Sequence, residues 1–202
     1  MADLIVIFGP GAVGKASVGQ ALAARTGFRL FHNHLTADPV AQLLGWDHPQ
    51  FAALTWSLRM QLFRAALADA AHPGVILTFV WAFNVAEDGE CMAALRDLFL
   101  AHGCRVRFVE LSADLSTRLA REGTPQRLQM KPAKHDVASA RSYLQQAAAQ
   151  YQDQSLGQFP WPDDWMLIDT EQHQPGQAAE QIMARWPQLF APDRVQPEVV
   201  QA

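Results

Sequence analysis

Five short apolar runs alternate with longer segments of helical period along the chain. Runs of this length, rich in β-branched and aromatic residues, are typical of strands buried on both faces. Because a helical segment separates each pair, the strands are predicted to be parallel and joined by right-handed crossovers. The pattern therefore predicts an α/β fold with a five-stranded parallel sheet between two helical layers. The runs are residues 4–8, 28–31, 75–83, 104–111 and 165–169.

Two helices are predicted to follow the second strand. Asp38 as N-cap and Pro39 at the first helical position predict a short helix that ends at Gly45. Asp47 and Pro49 repeat this signal for a long helix that ends near residue 71. Its apolar stripe is expected to face the sheet, with two arginines away from the centre of the stripe. The stripe is Phe51, Leu54, Leu58, Leu62 and Ala65, and the arginines are Arg59 and Arg64.

Later helices have weaker signals. Asn84 with Glu87 matches a capping box, which predicts a helix from there to His102. Another helix is predicted to begin near Asp114, with Arg118 pointing away from the core. We expect one domain over residues 1–190, a basic lid at about 121–134, and a frayed tail at 191–202.

A glycine-rich loop joins the first strand to the first helix. Glycines let backbone N–H groups turn inward, and Lys15 opens a helix whose positive dipole end favours a polyanion. The spacing fits a mononucleotide phosphate loop (Walker A) up to the lysine, where Ala16 precedes Ser17. The alternative is a glycine-rich turn that only caps a helix. The loop is Gly9, Pro10, Gly11, Ala12, Val13, Gly14, Lys15, Ala16 and Ser17.

Composition and charge exclude some classes of partner, but they say little about the reaction. The net charge is −4 and charged residues make up 18% of the chain, which gives no footprint for nucleic acid. No apolar run approaches the roughly 20 residues of a membrane span, so a cytoplasmic protein without membrane contact is expected. Cys91 and Cys104 have the spacing of neither a disulfide framework nor a zinc site. A monomer and a homodimer are both compatible with these features.

The phosphate loop and the order of elements resemble the P-loop small-molecule kinases, namely the shikimate, gluconate and nucleoside-monophosphate (adenylate-kinase-like) kinases. Gly14-Lys15-Ala16-Ser17 is similar to the adenylate-kinase variant, in which a small residue follows the lysine. The resemblance implies a sheet in the order 2-3-1-4-5, ATP with Mg²⁺, and a lid. The sequence also resembles bacterial ATPases labelled AAA that share a Phe-His-Asn-His segment after the second strand.

The sequence departs from the kinase pattern in three places. Shikimate kinases have an acidic residue after the second strand, where this chain has His32-Asn33-His34, so an acceptor other than shikimate is expected. A glycine run after the third strand is replaced by residues 81–84, which predicts a more aromatic pocket. That strand also lacks a carboxylate at its end. Glu87, Glu110 or water is therefore expected to help hold the metal.

Phosphoryl transfer requires positioning and neutralisation of charge on the transferred group. Backbone N–H groups from Gly11 to Lys15 are expected to hold the β-phosphate of ATP, and Lys15 to bridge the β- and γ-oxygens. Ser17 is expected to bind Mg²⁺ directly or through water. Arg121 and Arg127 are candidate catalytic arginines that reach the γ-phosphate from the lid. The alternative for both is a solvated basic loop.

The acceptor is predicted to bind after the second strand, near His32, Asn33 and His34. A histidine could take the acceptor's proton, since its unperturbed pKa of ~6.5 lies near working pH. A metal pair and structural hydrogen bonding are the alternatives. Arg59 could reach an anionic acceptor, or it could be an exposed helix arginine.

Two functions remain open at this stage. The first is an ATP-dependent kinase (transferase) of a small hydroxylated or phosphorylated metabolite. The second is an ATP-binding or ATP-hydrolysing regulatory or stress-response protein without an acceptor. The basic lid favours the first, and the missing third-strand carboxylate favours the second.

Overall fold

All five strands run parallel in one sheet, whose order is β2-β3-β1-β4-β5. This order confirms the predicted topology. The structure is a computed structural model that describes residues 2–69, 73–124 and 137–191. The strands are β1 (Asp3–Phe8), β2 (Arg29–His32), β3 (Gly74–Phe79), β4 (Val106–Ser112) and β5 (Trp165–Asp169).

Helices cover both faces of the sheet. The described residues form α1 (Lys15–Thr26), α2 (His34–Leu44), α3 (Phe51–Ala68), α4 (Ala86–Ala101), α5 (Leu115–Arg121), α6 (Val137–Gln150) and α7 (Pro175–Arg185). One core lies between the sheet and α3 with α4, and the other between the sheet and α1 with α7. The predicted three-layer α/β fold is thus confirmed.

Strand β1 explains why the sheet can be covered on both sides. All six of its residues are buried. Because side chains alternate along a strand, Leu4, Val6 and Phe8 enter one core while Ile5 and Ile7 enter the other. Each such side chain contributes about 1.5–3 kcal/mol by burial. The loop after β1 therefore begins from a strand that is buried along its whole length and paired on both edges.

Helix α2 begins earlier than predicted. Its first residue is His34, and Asn33 rather than Asp38 occupies the N-cap. Backbone bonds from Thr36 and Ala37 to the Asn33 carbonyl form the first turn. Asp38 instead accepts a hydrogen bond from His34 one turn away, at 2.7 Å. The first turn thus forms ahead of Pro39, which the helix tolerates in its interior.

Helix α3 presents a different face to the sheet from the one predicted. Leu54 and Leu62 are 42% and 43% exposed. The buried residues are Thr55, Arg59, Met60 and Phe63. This set also has helical spacing, and its Met60 and Phe63 pack into the core against the sheet. The predicted position of Arg59, away from the packed face, was wrong.

The turn after β3 is also different. The strand ends at Phe79, and α4 begins at Ala86 without a side-chain cap. The predicted capping box at Asn84 was wrong, because the Asn84 amide bonds to the backbone of Gln150 and Gln152 instead. The side chain of Asn84 thus bonds to a segment that is distant in sequence and does not cap the helix that follows it.

Candidate nucleotide and acceptor site

The phosphate loop turns sharply between β1 and α1, because three of its residues have positive φ angles. These are Gly9 at 135°, Ala12 at 64° and Gly14 at 106°. A Cβ added at Gly9 would lie 2.4 Å from the Leu111 carbonyl oxygen of β4. Only glycine fits at this position. The loop therefore crosses the carboxyl end of the sheet closely.

The N-terminus of α1 has no side-chain cap. Gly14 is the N-cap residue, and the first turn contains no acidic residue. The first N–H groups of a helix lack intrahelical acceptors and form the positive end of its dipole. This end of α1 is therefore suited to receive a phosphate group.

Lys15 is folded over the loop. Its Nζ donates hydrogen bonds to the carbonyl oxygens of Gly9 at 2.5 Å and Pro10 at 2.7 Å. Ser17 is half-buried in the same first turn of α1. Within residues 2–69, 73–124 and 137–191, no group of three or more His, Cys, Asp or Glu could hold a metal ion. A Mg²⁺ ion held by phosphate oxygens, water and the Ser17 hydroxyl fits this donor set.

Two arginines of α5 contact the phosphate loop. Arg118 is only 8% exposed, and its Nη1 donates to the Gly11 carbonyl at 3.4 Å. Burial lowers the pKa of Arg118, and the charges of Asp153 and Asp114 partly oppose this. The prediction that Arg118 points away from the core was wrong, because a helix of seven residues gives little periodicity from which to predict a buried face.

Arg121 ties the loop to the end of β5. It donates to the Val13 carbonyl at 3.2 Å, the Thr170 hydroxyl at 2.9 Å and the Thr170 carbonyl at 2.7 Å. The other predicted lid arginine, Arg127, lies outside the described residues, as do residues 125–134 of the predicted lid. The tail beyond residue 191 lies outside them as well.

A buried arginine reaches the predicted acceptor region. Arg59 is 2% exposed, and its Nη2 donates to the Asn33 side-chain oxygen and to the Thr36 hydroxyl. Its guanidinium lies over the rings of Trp56 and Phe79, at 5.5 and 5.4 Å. Burial lowers the pKa of Arg59 to about 10. The structure thus brings Arg59 and Asn33 together, and Arg59 is not an exposed helix arginine.

The two histidines of the segment lie at different places. His32 is the last residue of β2, and His34 is the first residue of α2. His34 pairs with Asp38 and lies 6.3 Å from the ring of Trp46. The bond to Asp38 is a structural hydrogen bond within α2. No such contact joins His34 to Arg59 in the described part of the chain.

Aromatic residues near this region are divided between core and surface. Trp81 is buried and stacks on Phe83, with ring centroids 4.8 Å apart. Trp56 is half-buried beneath Arg59, whereas Trp46 is largely exposed. The aromatic residues after β3 therefore form core, and Trp56 is the tryptophan at the predicted acceptor site.

Glu110 does not have the freedom expected of a metal-binding carboxylate. It is 2% exposed and accepts hydrogen bonds from the Ser155 backbone at 2.9 Å and the Ser155 hydroxyl at 2.5 Å. The Trp165 indole donates a third, at 3.0 Å. Both oxygens are thus engaged by the protein. The other candidate, Glu87, is exposed in the first turn of α4.

Two carboxylates that the sequence did not single out interact with cations of the site, Asp88 with Arg59 and Asp153 with Lys15. Asp88 of α4 accepts a hydrogen bond from the Ala82 backbone at 2.8 Å. Asp153 follows α6, and its charge interacts with those of Lys15 and Arg118. Burial raises the pKa of both carboxyl groups, and Asp88 raises that of Asp153 further. No local motif marks Asp153, because residues distant in sequence surround it.

Solved structures of small-molecule kinases share this fold. An unliganded sugar kinase from Janibacter sp. HTCC2649 is 18% identical, with a TM-score of 0.61 over 95% of this chain and 97% of the other. A gluconokinase from Sinorhizobium meliloti 1021 is 15% identical, with a TM-score of 0.59 over 93% of each chain. A tunicamycin resistance protein from Deinococcus radiodurans is 22% identical, with a TM-score of 0.53 over 92% and 95%.

These similarities show that the chain has the fold of the P-loop small-molecule kinases. Its sheet order is the one that the resemblance to these kinases implied. No family model and no curated protein matches the sequence. None of the helices in the described ranges is long and apolar enough to cross a membrane.

Proposed function

We propose that this protein is an ATP-dependent phosphotransferase that acts on a hydroxyl group of a small anionic metabolite. One observation carries the proposal. The phosphate loop with Lys15 and Arg118 lies at the same edge of the sheet as the buried pair of Arg59 and Asn33. This arrangement provides a place for a phosphate donor and a separate cation for an acceptor. The names of the sugar kinase and gluconokinase structures agree with a small hydroxylated acceptor.

The donor half uses backbone groups and cations. The N–H groups of the loop up to Lys15 hold the β-phosphate. When ATP binds, the Lys15 ammonium leaves the carbonyl oxygens of the loop and bonds to the β- and γ-oxygens. Ser17 holds Mg²⁺, which when bound neutralises charge on these oxygens. Arg118 and Arg121 stabilise charge on the transferred group, together with Arg127.

The acceptor half uses Arg59. A buried guanidinium is costly unless a negative partner compensates it. Within the described ranges Arg59 donates hydrogen bonds to the neutral side chains of Asn33 and Thr36 and lies over two aromatic rings. The charges of Cys91 and Asp88 raise its pKa, but they offset the effect of burial only in part. A carboxylate or phosphate group on the acceptor supplies that partner. The acceptor therefore has an anionic group in addition to its reactive hydroxyl.

The test combines binding with turnover. MgATP is expected to raise the melting temperature, and one member of a panel of hydroxylated carboxylates and phosphate esters is expected to stimulate ADP release. Lys15→Ala should abolish ADP release while the protein stays folded, whereas Arg64→Ala, on the exposed side of α3, should not change it. Near-normal ADP release by Lys15→Ala would contradict the proposal. ADP release that no acceptor stimulates would favour a regulatory ATP-hydrolysing protein.

A further inference from the structure

The segment after α6 is fixed to the turn after β3. The Asn84 side chain accepts a hydrogen bond from the Gln152 N–H at 2.9 Å and donates one to the Gln150 carbonyl at 3.0 Å. The Phe83 N–H donates to the Gln152 carbonyl at 2.8 Å. Three hydrogen bonds therefore hold the residues immediately before Asp153.

The residues immediately after Asp153 are fixed to β4. Ser155 donates to Glu110 through both its backbone N–H, at 2.9 Å, and its hydroxyl, at 2.5 Å. The Ser155 hydroxyl also accepts a hydrogen bond from Gly157, at 3.3 Å. Asp153 is therefore held from both sides, and its backbone does not depend on the carboxylate itself.

The Asp153 carboxylate lies among groups from four helices. Its charge interacts with Lys15 of α1, Arg118 of α5, Asp88 of α4 and Tyr143 of α6. Its Oδ1 atom is buried and accepts no hydrogen bond from any residue that the structure describes. A buried carboxylate oxygen that accepts no hydrogen bond from these residues is an open acceptor for a proton or a hydroxyl.

Other candidate bases are already engaged within the described ranges. Glu110 accepts three hydrogen bonds from the protein, and His34 pairs with Asp38. Asp88 accepts the Ala82 N–H, which holds the turn that carries Asn84. Asp88 is therefore suited to position the turn, and Asp153 is suited to contact the reacting group.

We infer that Asp153 is the catalytic base, which accepts the proton of the acceptor hydroxyl during transfer. This inference rests on the proposed function. The acceptor oxygen forms a bond to the γ-phosphorus of ATP while the bond from that phosphorus to the β,γ-bridging oxygen breaks. The hydroxyl proton moves to Asp153 Oδ1 and then to solvent, and ADP leaves. No other reactant is needed.

The test uses the full chain, with MgATP as donor and water as the acceptor hydroxyl, and measures ADP release. Asp153→Asn is expected to lower the rate by about 10²–10⁴-fold, the usual contribution of a general base. Its affinity for the Mg²⁺ complex of a non-hydrolysable ATP analogue should stay within about threefold, since the base does not bind the donor. Asp163→Asn, an exposed carboxylate in the loop before β5, is the matched control.

Two further readouts separate catalysis from structure. The wild-type rate should fall as pH falls through the pKa of the base, and this fall should be absent in Asp153→Asn. Asp153→Glu should recover part of the lost rate, because it restores a carboxylate. Unchanged ADP release by Asp153→Asn would overturn the inference and leave the proposed function intact. A faster rate with tighter nucleotide binding would also overturn it, since Asp153 would then act only as a counter-charge to Lys15.

Failure of the wild type is a distinct outcome. A wild-type chain that neither binds the analogue nor releases ADP contradicts the proposed function and the inference together. A wild-type chain that binds the analogue but releases no more ADP than Lys15→Ala, with water and with every member of the acceptor panel, contradicts both, because there is then no transfer for a base to assist.

Discussion

The proposed donor half of the site, residues 9–17, and the proposed acceptor half, formed by Asn33, Arg59 and Asp153, are built in opposite ways. The proposed donor half is one continuous loop whose shape depends on glycine. The acceptor half consists of side chains from separate segments. Hydrogen bonds between residues that are tens of positions apart in the sequence hold these segments together. Backbone geometry fixes the first, whereas tertiary packing fixes the second.

This difference determines how each half responds to change. A substitution in the donor half acts on the backbone and therefore on stability and binding together. A substitution in the acceptor half can remove a function at little cost in stability, because buried charges without ion-pair partners destabilise the fold.

Gly9→Ala is expected to have the largest effect on stability. Its φ of 135° and the contact of 2.4 Å with the Leu111 carbonyl oxygen require the backbone to move. We expect a loss of roughly 3 kcal/mol or more in the free energy of unfolding, measured by urea denaturation. Gly89→Ala in α4 is the control, since its added Cβ meets nothing within 4 Å. It should gain about 0.5–1 kcal/mol, and equal losses in both would contradict the account.

Arg118→Ala is expected to act mainly on turnover. Removal of one charge-stabilising donor at a transferred group lowers kcat by about 10²–10³-fold. Arg121→Ala should lower kcat at saturating ATP by at least about tenfold. Arg141→Ala on α6 is the control, because that side chain is exposed and contacts the carbonyls of Leu119 and Glu122. Unchanged kcat in Arg118→Ala would limit Arg118 to a structural role.

Arg59→Met is expected to separate binding from stability. The free energy of unfolding should change by less than about 1 kcal/mol, since a buried charge is replaced by an apolar chain of similar length. KM for the acceptor that the ADP-release panel identifies should rise by roughly tenfold or more. Arg64→Met on the exposed side of α3 should change neither quantity. A loss of stability above about 3 kcal/mol would instead make Arg59 a structural residue.

Asp153→Asn is expected to have a small effect on stability that depends on pH. Burial raises the pKa of Asp153 above its unfolded value, so the ionised form destabilises the fold at neutral pH. This penalty is complete above the folded pKa and is relieved as pH falls towards the unfolded value of about 4. The variant should melt about 2–4 °C higher at pH 7, with the difference disappearing near pH 4. If Asp153→Asn melted at a lower temperature than the wild type at pH 7, the predicted stabilisation would be contradicted.

The donor half and the sheet could be predicted from sequence because their signals are local. The strand of residues 4–8, the glycines and Lys15 are adjacent, and apolar runs predict buried strands without knowledge of their neighbours. The start of α2 was wrong because a hydrogen bond between His34 and Asp38 competes with the expected cap.

The acceptor half could not be predicted in the same way. Helix α3 has two stripes of helical spacing, and the packing of Met60 and Phe63 in the complete core determines which is buried. Asp153 has no motif, because hydrogen bonds of Asn84 and Glu110 with distant residues determine its place. Side chains whose positions depend on the complete fold require the structure.

The central claim is that a phosphoryl group moves from ATP to an organic hydroxyl at this site. The most direct measurement incubates the full chain with ATP labelled in the γ-phosphate and a panel of hydroxylated carboxylates and phosphate esters. The account predicts label in an organic phosphate ester with the wild type and none with Lys15→Ala. Label that appears only in inorganic phosphate, or equally with both chains, would contradict it.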